Sequence, residues 1–247
     1  MLNFAAATRR GVGKQKNEDR IMAAGSFLSK GELCSGTAGA FLSVLCDGIG
    51  GEAGGDEAAS IACLHFLSLS GEIMTPFSVS SAVGGANAAV RRRQEGERKH
   101  MSATLAGIYV DEKGYIAFNT GDSRVYMLGK TGMLQLSKDH TQAQELVNSG
   151  RIASASDAPK RLQNTVTRYI GGCGETNCAA LHKGNFSNGT MFLLCSDGVY
   201  KKVNDVMLFE ILSSGLTLSE KCRAACDLAV ENGSNDDLSV VLVRKEV

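Results

Sequence analysis

Four aspartates stand where apolar runs end or meet. Asp47 closes the apolar run 41–46 and opens a glycine-dense turn, Asp47-Gly48-Ile49-Gly50-Gly51-Glu52-Ala53-Gly54-Gly55. Asp197 follows a second run, 191–195, as Ser196-Asp197-Gly198, and Asp236 lies in Asn235-Asp236-Asp237 just before a third, 238–243. Asp122 sits in the turn Gly121-Asp122-Ser123-Arg124. A carboxylate at the end of a core strand is costly unless a cation or hydrogen bonds compensate it. One aspartate in a turn is commonly an Asx-turn or a cap; several bordering apolar strands repel one another and call for cations. No histidine occurs in these turns, and an all-oxygen donor set suits Mg²⁺ or Mn²⁺ better than zinc or copper. Two such ions sharing Asp47 would activate a water and stabilise charge on a phosphoryl group. Glycine beside Asp47 lets backbone come close and leaves a carbonyl free to point inward.

A competing chemistry uses the same turn. Residues 48–53 fit the G-x-G-x-x-A form of the dinucleotide fingerprint, between an apolar strand and an Ala-rich helix. Against it, Asp47, Glu52 and Asp56 would set negative charge beside the pyrophosphate. A second cluster lies in the polar connection 9–19, which carries Lys14, Lys16 and Asn17-Glu18-Asp19. Taken locally, that stretch reads as a solvated loop of mixed charge; the sharper reading sets Glu18 and Asp19 beside Asp47, with Lys14 supplying positive charge for an anion. Cys173, Cys178 and His182 admit a zinc site, but the eight cysteines contain no C-x-x-C pair, and ordinary reduced thiols are the better reading.

The elements that must position these groups follow from periodicity. Strands are expected over 1–8, 20–24, 38–46, 104–110, 115–119, 125–128, 134–136, 191–195 and 238–243, and helices over 56–69, 78–99, 142–148, 205–213 and 218–232. Ile61, Leu64, Phe66 and Leu67 would give the first helix its apolar face. Residues 151–164 read as a polar, irregular surface segment, a lid or a plain loop. The run 104–136 is an antiparallel meander, unlike the strand–helix alternation of a dinucleotide-binding sheet.

Composition narrows the class. A chain of 247 residues can hold one substantial core. Lys plus Arg equals Asp plus Glu at 26 each, so no global field favours nucleic acid or an acidic membrane. The opening Met1-Leu2-Asn3-Phe4 lacks a signal-peptide pattern, and no apolar run is long enough to span a bilayer; a cytoplasmic protein is expected.

Seven motifs then occur in order: Asn17-Glu18-Asp19, Asp47-Gly48-Ile49-Gly50-Gly51, Gly121-Asp122-Ser123-Arg124, Asp139-His140-Thr141, Thr167-Arg168-Tyr169-Ile170-Gly171, Ser196-Asp197-Gly198 and Asp236-Asp237. With them the chain resembles, over nearly its whole length, the bacterial-type, metal-dependent type 2C protein serine/threonine phosphatases. The resemblance implies an α+β fold, a four-layer α-β-β-α sandwich of two antiparallel sheets flanked by helices, as one catalytic domain over 1–247 with a flap at about 147–165. It implies that Asp47 bridges two Mn²⁺ or Mg²⁺ ions, that the Gly48 carbonyl binds the second, and that Asp197 and Asp236 bind the first. Glu18 and Asp19 would orient metal-bound waters, and Asp122 with Asp197 would hold a third, weaker ion. The implied reaction is direct attack of metal-bound hydroxide on phosphoserine or phosphothreonine of protein substrates, opposing a serine/threonine kinase.

Three positions depart from that pattern. Lys14 stands where the family usually grips the substrate phosphate with arginine, which keeps the charge but loses the bidentate fork. Ile49 replaces a histidine common in eukaryotic relatives, and His140 is assigned to its own loop. Asp237 stands where asparagine is common, either tightening metal binding or pairing with a neighbour. Lys14 alone invites the rival reading, a catalytically weak phosphoprotein-binding regulatory module on the same fold.

Overall fold

The fold comes from a computed structural model that describes residues 1–37, 39–49, 54–97, 100–174 and 178–246. Alternating side chains on the strands build two six-stranded antiparallel sheets. One sheet runs, edge to edge, Met133–Gln135, Arg124–Leu128, Met191–Cys195, Leu238–Lys245, Leu2–Arg9 and Gly31–Thr37. The other runs Ala180–Gly184, Gly114–Thr120, Leu105–Asp111, Phe41–Cys46, Arg20–Ala23 and Ser26–Leu28. Gly48–Ile49 and Ser102–Ala103 form a small separate ladder.

The period-2 pattern assigns each strand's residues to different layers. Leu2, Phe4 and Ala6 join Phe41, Leu45, Ile108, Phe192 and Val241 between the sheets. Ala5 and Ala7, on the opposite face of the same strand, join Leu193, Val240 and Leu242 against Leu208 and Leu212 of helix Asp205–Ser213 and Ala225 and Ala229 of helix Leu218–Glu231. On the far side, Leu42, Val44, Cys46 and Phe118 pack against helices Gly55–Leu67 and Pro76–Glu97. The architecture is therefore a four-layer α-β-β-α sandwich, helices outside and two antiparallel sheets within. The antiparallel pairing leaves no place for a doubly wound nucleotide-binding sheet around Asp47; residues 50–53 of the fingerprint lie outside the described residues.

Two expectations change. Helix Gly55–Leu67 buries Ala58, Ala59, Ala62, Cys63 and Phe66, whereas Leu64 is 49% exposed. The small residues let the helix lie close to the sheet and to its neighbour; of the expected apolar face, Phe66 is in the core, Ile61 and Leu67 pack against it, and only Leu64 turns to solvent. Residues 151–164 are not irregular throughout: they hold a 3-10 turn, Ala155–Asp157, capped by Ser154, and a short helix, Lys160–Gln163. Strands Ser26–Leu28, Gly31–Thr37 and Ala180–Gly184 add to the expected set, and all three lie at or next to the sheet margins as edge strands. Their side chains are largely exposed, so they lack the apolar alternation that marks inner strands.

Candidate metal centre

Antiparallel register brings the acids to one end of the sandwich. Arg20 pairs with Cys46, which sets Asp19 and Asp47 side by side on adjacent strand ends. Cys195 pairs with both Val240 and Arg124, which draws Asp197 toward the 236–237 turn on one side and Asp122 on the other. Thr104 joins the two sheets at this end. Its backbone N–H donates to the Asp47 carbonyl at 2.8 Å, and its Oγ1 accepts from the Asp47 N–H at 3.2 Å. The same Oγ1 lies 2.6 Å from the buried Ser123 hydroxyl beside Asp122. Gly48 packs so tightly on the Gly55 backbone that a Cβ would collide with it, and a Cβ at Gly198 would strike the Asp237 carbonyl. Both glycines allow the turns around the acids to close on one another.

The result is a cleft of about 760 Å³ whose walls include Lys14, Glu18, Asp47, Gly48, Asp122, Asp197 and Asp236. Asp19 lies behind the cleft wall and is fully buried. Each site residue expected from sequence is thus in or directly behind one cavity, except that Lys14 is engaged with acids. Its Nζ donates to Asp236 Oδ1 at 2.5 Å and to Asp237 Oδ2 at 3.0 Å. Asp237 takes the second of its two expected roles, pairing with a neighbour.

The electrostatics are those of crowded anions. Burial, then the charges of Asp19, Asp197, Asp236 and Asp122, push the Asp47 carboxyl well above the ordinary carboxylate range. Burial raises Asp19 to about 7, with Asp237 and Asp197 adding to the rise. The Ser239 and Ser196 hydroxyls beside Asp19 favour its charged form, yet neither closes a well-formed hydrogen bond on it: both Asp19 oxygens are buried without a hydrogen bond, and Glu18 Oε1, also without one, has only the Lys16 ammonium at 3.7 Å. Burial likewise raises Glu18, against the pull of Lys16 and Lys14. Asp122 is raised to about 6 by burial and by Asp197, with Lys201 opposing.

Such orphaned, mutually repelling oxygens fit a hard divalent cation, since carboxylates in a cavity are normally compensated. Among the described residues no three acid, thiol or imidazole groups stand at ion-binding geometry. Two ammoniums stand among the acids. Lys14 sits on Asp236, and Lys201, which none of the seven motifs includes, sits on Asp197 at 2.6 Å and near Asp122 at 3.5 Å. Its only sequence clue is a spacing of four from Asp197, one helical turn. Lys16 and Lys202 also line the cleft.

Further groups hold the frame. Arg124 grips Asp139 with Nε at 3.1 Å from Oδ1 and Nη2 at 2.8 Å from Oδ2, and its guanidinium lies 3.7 Å above the Tyr200 ring. His140 Nδ1 accepts from the Gly121 N–H at 3.1 Å. Burial, then Arg168, lowers His140 to about 4, so the ring stays neutral and able to accept. It serves the Asp122 turn. Asn164 and Val166 also line the cleft. Cys173 and Cys178 are free thiols, and His182 is occupied with Tyr115, 3.2 Å from its hydroxyl.

Fold and site together define a class, and the chain belongs to it: the protein phosphatase 2C family, whose profile matches residues 26–231. The chain is 26% identical to the serine/threonine protein phosphatase PstP of Mycobacterium tuberculosis over 247 residues, 98% of this chain but 45% of that protein. It therefore spans about half the length of that relative. Serine/threonine phosphatase stp of Listeria innocua is 28% identical over 214 residues, covering 83% of this chain and 84% of the relative. The crystal structure of M. tuberculosis PstP superposes with a TM-score of 0.85 at 26% identity, over the full length of both chains. A PstP catalytic domain in complex with two manganese ions gives 0.79 at 26% identity, over 99% of each chain.

Proposed function

We propose that this chain hydrolyses phosphoserine and phosphothreonine on proteins with the help of two Mn²⁺ or Mg²⁺ ions. The observation that carries the reading is the pair of unpartnered, fully buried Asp19 oxygens next to Asp47, in a carboxylate cluster that opens on a lysine-lined cleft. When bound, the ions supply Lewis-acid stabilisation and an activated water. Asp47, the Gly48 carbonyl, Asp197 and Asp236 are the groups that would hold them. Burial raises both Glu18 and Asp19, Asp19 to about 7; the Asp19 oxygens, which make no hydrogen bond, would orient water or hold a proton, and Glu18, beside Lys16, would orient water. Lys14 and Lys16 stand at the mouth, where an anionic phosphoryl group would enter. Residues 1–247 act as one catalytic unit, with 147–165 as a flap beside the cleft. Substrates are phosphoproteins made by a serine/threonine kinase. The eight free cysteines fit a reducing compartment, the cytoplasm, and among the described residues no helix is long and apolar enough to cross a membrane.

Hydrolysis of a small aryl phosphate should appear with Mn²⁺, vanish on chelation and fall by roughly 100- to 1,000-fold or more in Asp197→Ala. Turnover that survives both treatments would sink the reading. The rival regulatory module would keep Lys14 on Asp236 and Lys201 on Asp197 as standing ion pairs. That reading predicts no Mn²⁺-dependent turnover on any phosphopeptide, and it leaves the Asp19 oxygens unexplained.

Lys14 separates two roles. As a weakened phosphate clamp, it should be improved by Lys14→Arg, with KM for a phosphopeptide falling roughly 2- to 10-fold, the worth of about one ordinary net hydrogen bond. An unchanged KM would make Lys14 a clasp for Asp236 and Asp237 alone.

A further inference from the structure

Lys201 occupies ground that the resemblance assigns to an ion. The third, weaker cation is expected between Asp122 and Asp197. In the structure the Lys201 ammonium lies there, 2.6 Å from Asp197 Oδ2 and 3.5 Å from Asp122 Oδ2. We propose that the Lys201 ammonium is a built-in replacement for the third divalent ion, so that this chain takes two ions and no more. The proposal deepens the two-ion phosphatase reading and rests on it.

The lysine is placed by the fold, not by chance extension from the surface. It follows the one-turn helix Asp197–Tyr200, and its backbone N–H donates to the Asp197 carbonyl at 3.0 Å, which sets Lys201 one turn above Asp197. Tyr200, its neighbour, is covered by the Arg124 guanidinium, itself clamped by Asp139. The Lys201 side chain is only 30% exposed, and its acidic partners are more enclosed, Asp197 at 18% and Asp122 at 5%. An ammonium in that seat is a compact cation with three donors. It supplies one positive charge permanently, whereas an ion would supply two only at sufficient concentration.

The chemistry of the rest of the cleft agrees. Its lining holds five carboxylates, Glu18, Asp47, Asp122, Asp197 and Asp236, against four lysines, Lys14, Lys16, Lys201 and Lys202. Asp197 is asked to serve two cations, and its Oδ2 is already taken by Lys201. For an ion to enter between Asp122 and Asp197, it would have to displace a tethered charge of its own sign. The replacement removes one dependence on metal supply while leaving Asp122 compensated.

Counting bound Mn²⁺ by titration calorimetry, with electron paramagnetic resonance on the same samples, tests this directly. Wild type and Asp122→Asn should both bind two ions, because Asp122 meets a lysine and holds no metal. Lys201→Asp, which removes the ammonium and adds an oxygen ligand, should bind one more, a weaker ion lost first on dilution. Thermal melts confirm that each variant is folded; should Lys201→Asp fail to fold, the comparison of wild type with Asp122→Asn decides alone. Three ions on wild type, or one fewer on Asp122→Asn, would overturn the lysine assignment and leave the two-ion reading standing. Wild type that binds none would overturn both.

Discussion

Asp47→Asn should abolish Mn²⁺-dependent hydrolysis and, in the same protein, raise the melting temperature of the metal-free form. The two effects share one cause. Asp47 is the carboxylate on which four others converge, Asp19, Asp197, Asp236 and Asp122. Without metal its charge is a cost to folding; under the proposed function it is one of the groups that would hold the ions. Removal of a ligand in that position should lower turnover by about a thousandfold or more, beyond the loss from one oxyanion donor. Stability should move the other way, by roughly 2–4 °C for each kcal/mol of repulsion relieved in a chain of this size. Calorimetric melts with chelator and with excess Mn²⁺ measure both arms. A metal-free variant that melts below wild type would show that the Asp47 charge is already compensated and that the cluster is not strained.

The sign of the pH dependence follows from the same groups. A carboxyl whose folded pKa is raised disfavours the folded state once pH exceeds its ordinary value near 4, and the cost is complete above the folded pKa. For Asp122 and Asp19 those folded values are about 6 and about 7. Their contribution to metal-free stability therefore declines between about pH 4 and pH 7. Metal bound to the native state alone opposes that loss by mass action, about 2.7 kcal/mol at a hundredfold excess over Kd.

How legible each part of the fold is in the sequence depends on how strongly its residues depart from a bland background. Inner strands such as Met191–Cys195 and helices such as Asp205–Ser213 announce themselves because both faces, or a full stripe, are apolar. Edge strands such as Gly31–Thr37 do not, since solvent accepts nearly any side chain there. Acids at strand ends are legible for a related reason: Asp47 and Asp197 interrupt apolar runs, where an uncompensated charge is expensive. The Lys14–Asp19 loop, taken locally, is indistinguishable from plain solvated chain. Only the pairing of Arg20 with Cys46 brings Asp19 beside Asp47, a contact 28 residues apart that no short window along the chain contains. Lys201 is hidden because a lysine on a short helix is normally a solvated side chain; its meaning arises when Arg124 and Cys195 pair and carry Asp122 alongside.

Asp237 marks where the largest stability loss should fall. It is 2% exposed and sits beside Asp236, yet its own oxygens are spent on the opposite loop. Oδ1 accepts from the Gly11 N–H at 2.8 Å, and Oδ2 accepts from the Glu18 N–H at 2.8 Å and from Lys14 Nζ at 3.0 Å. One carboxylate thus ties both ends of the 11–18 loop to the 236–237 turn and fixes Glu18 and Lys14 relative to the cleft. Asp237→Ala leaves two backbone donors and an ammonium without that partner. Breaking a buried pair costs about 3–5 kcal/mol; because Lys14 is 33% exposed, the low end, about 3 kcal/mol, is expected. At roughly 2–4 °C per kcal/mol that is a fall of roughly 6–12 °C in Tm. Asp237→Asn keeps one oxygen for a backbone N–H but turns an amide toward the other donors, so it should lie between alanine and wild type. Mn²⁺ affinity should weaken by about 10- to 100-fold in Asp237→Ala, the usual consequence of losing a group that orients ligands without touching the ion. A variant within about 1 kcal/mol of wild type by denaturant melt, with Mn²⁺ affinity intact, would mean that the loop is held by its own turn and that Asp237 is a bystander.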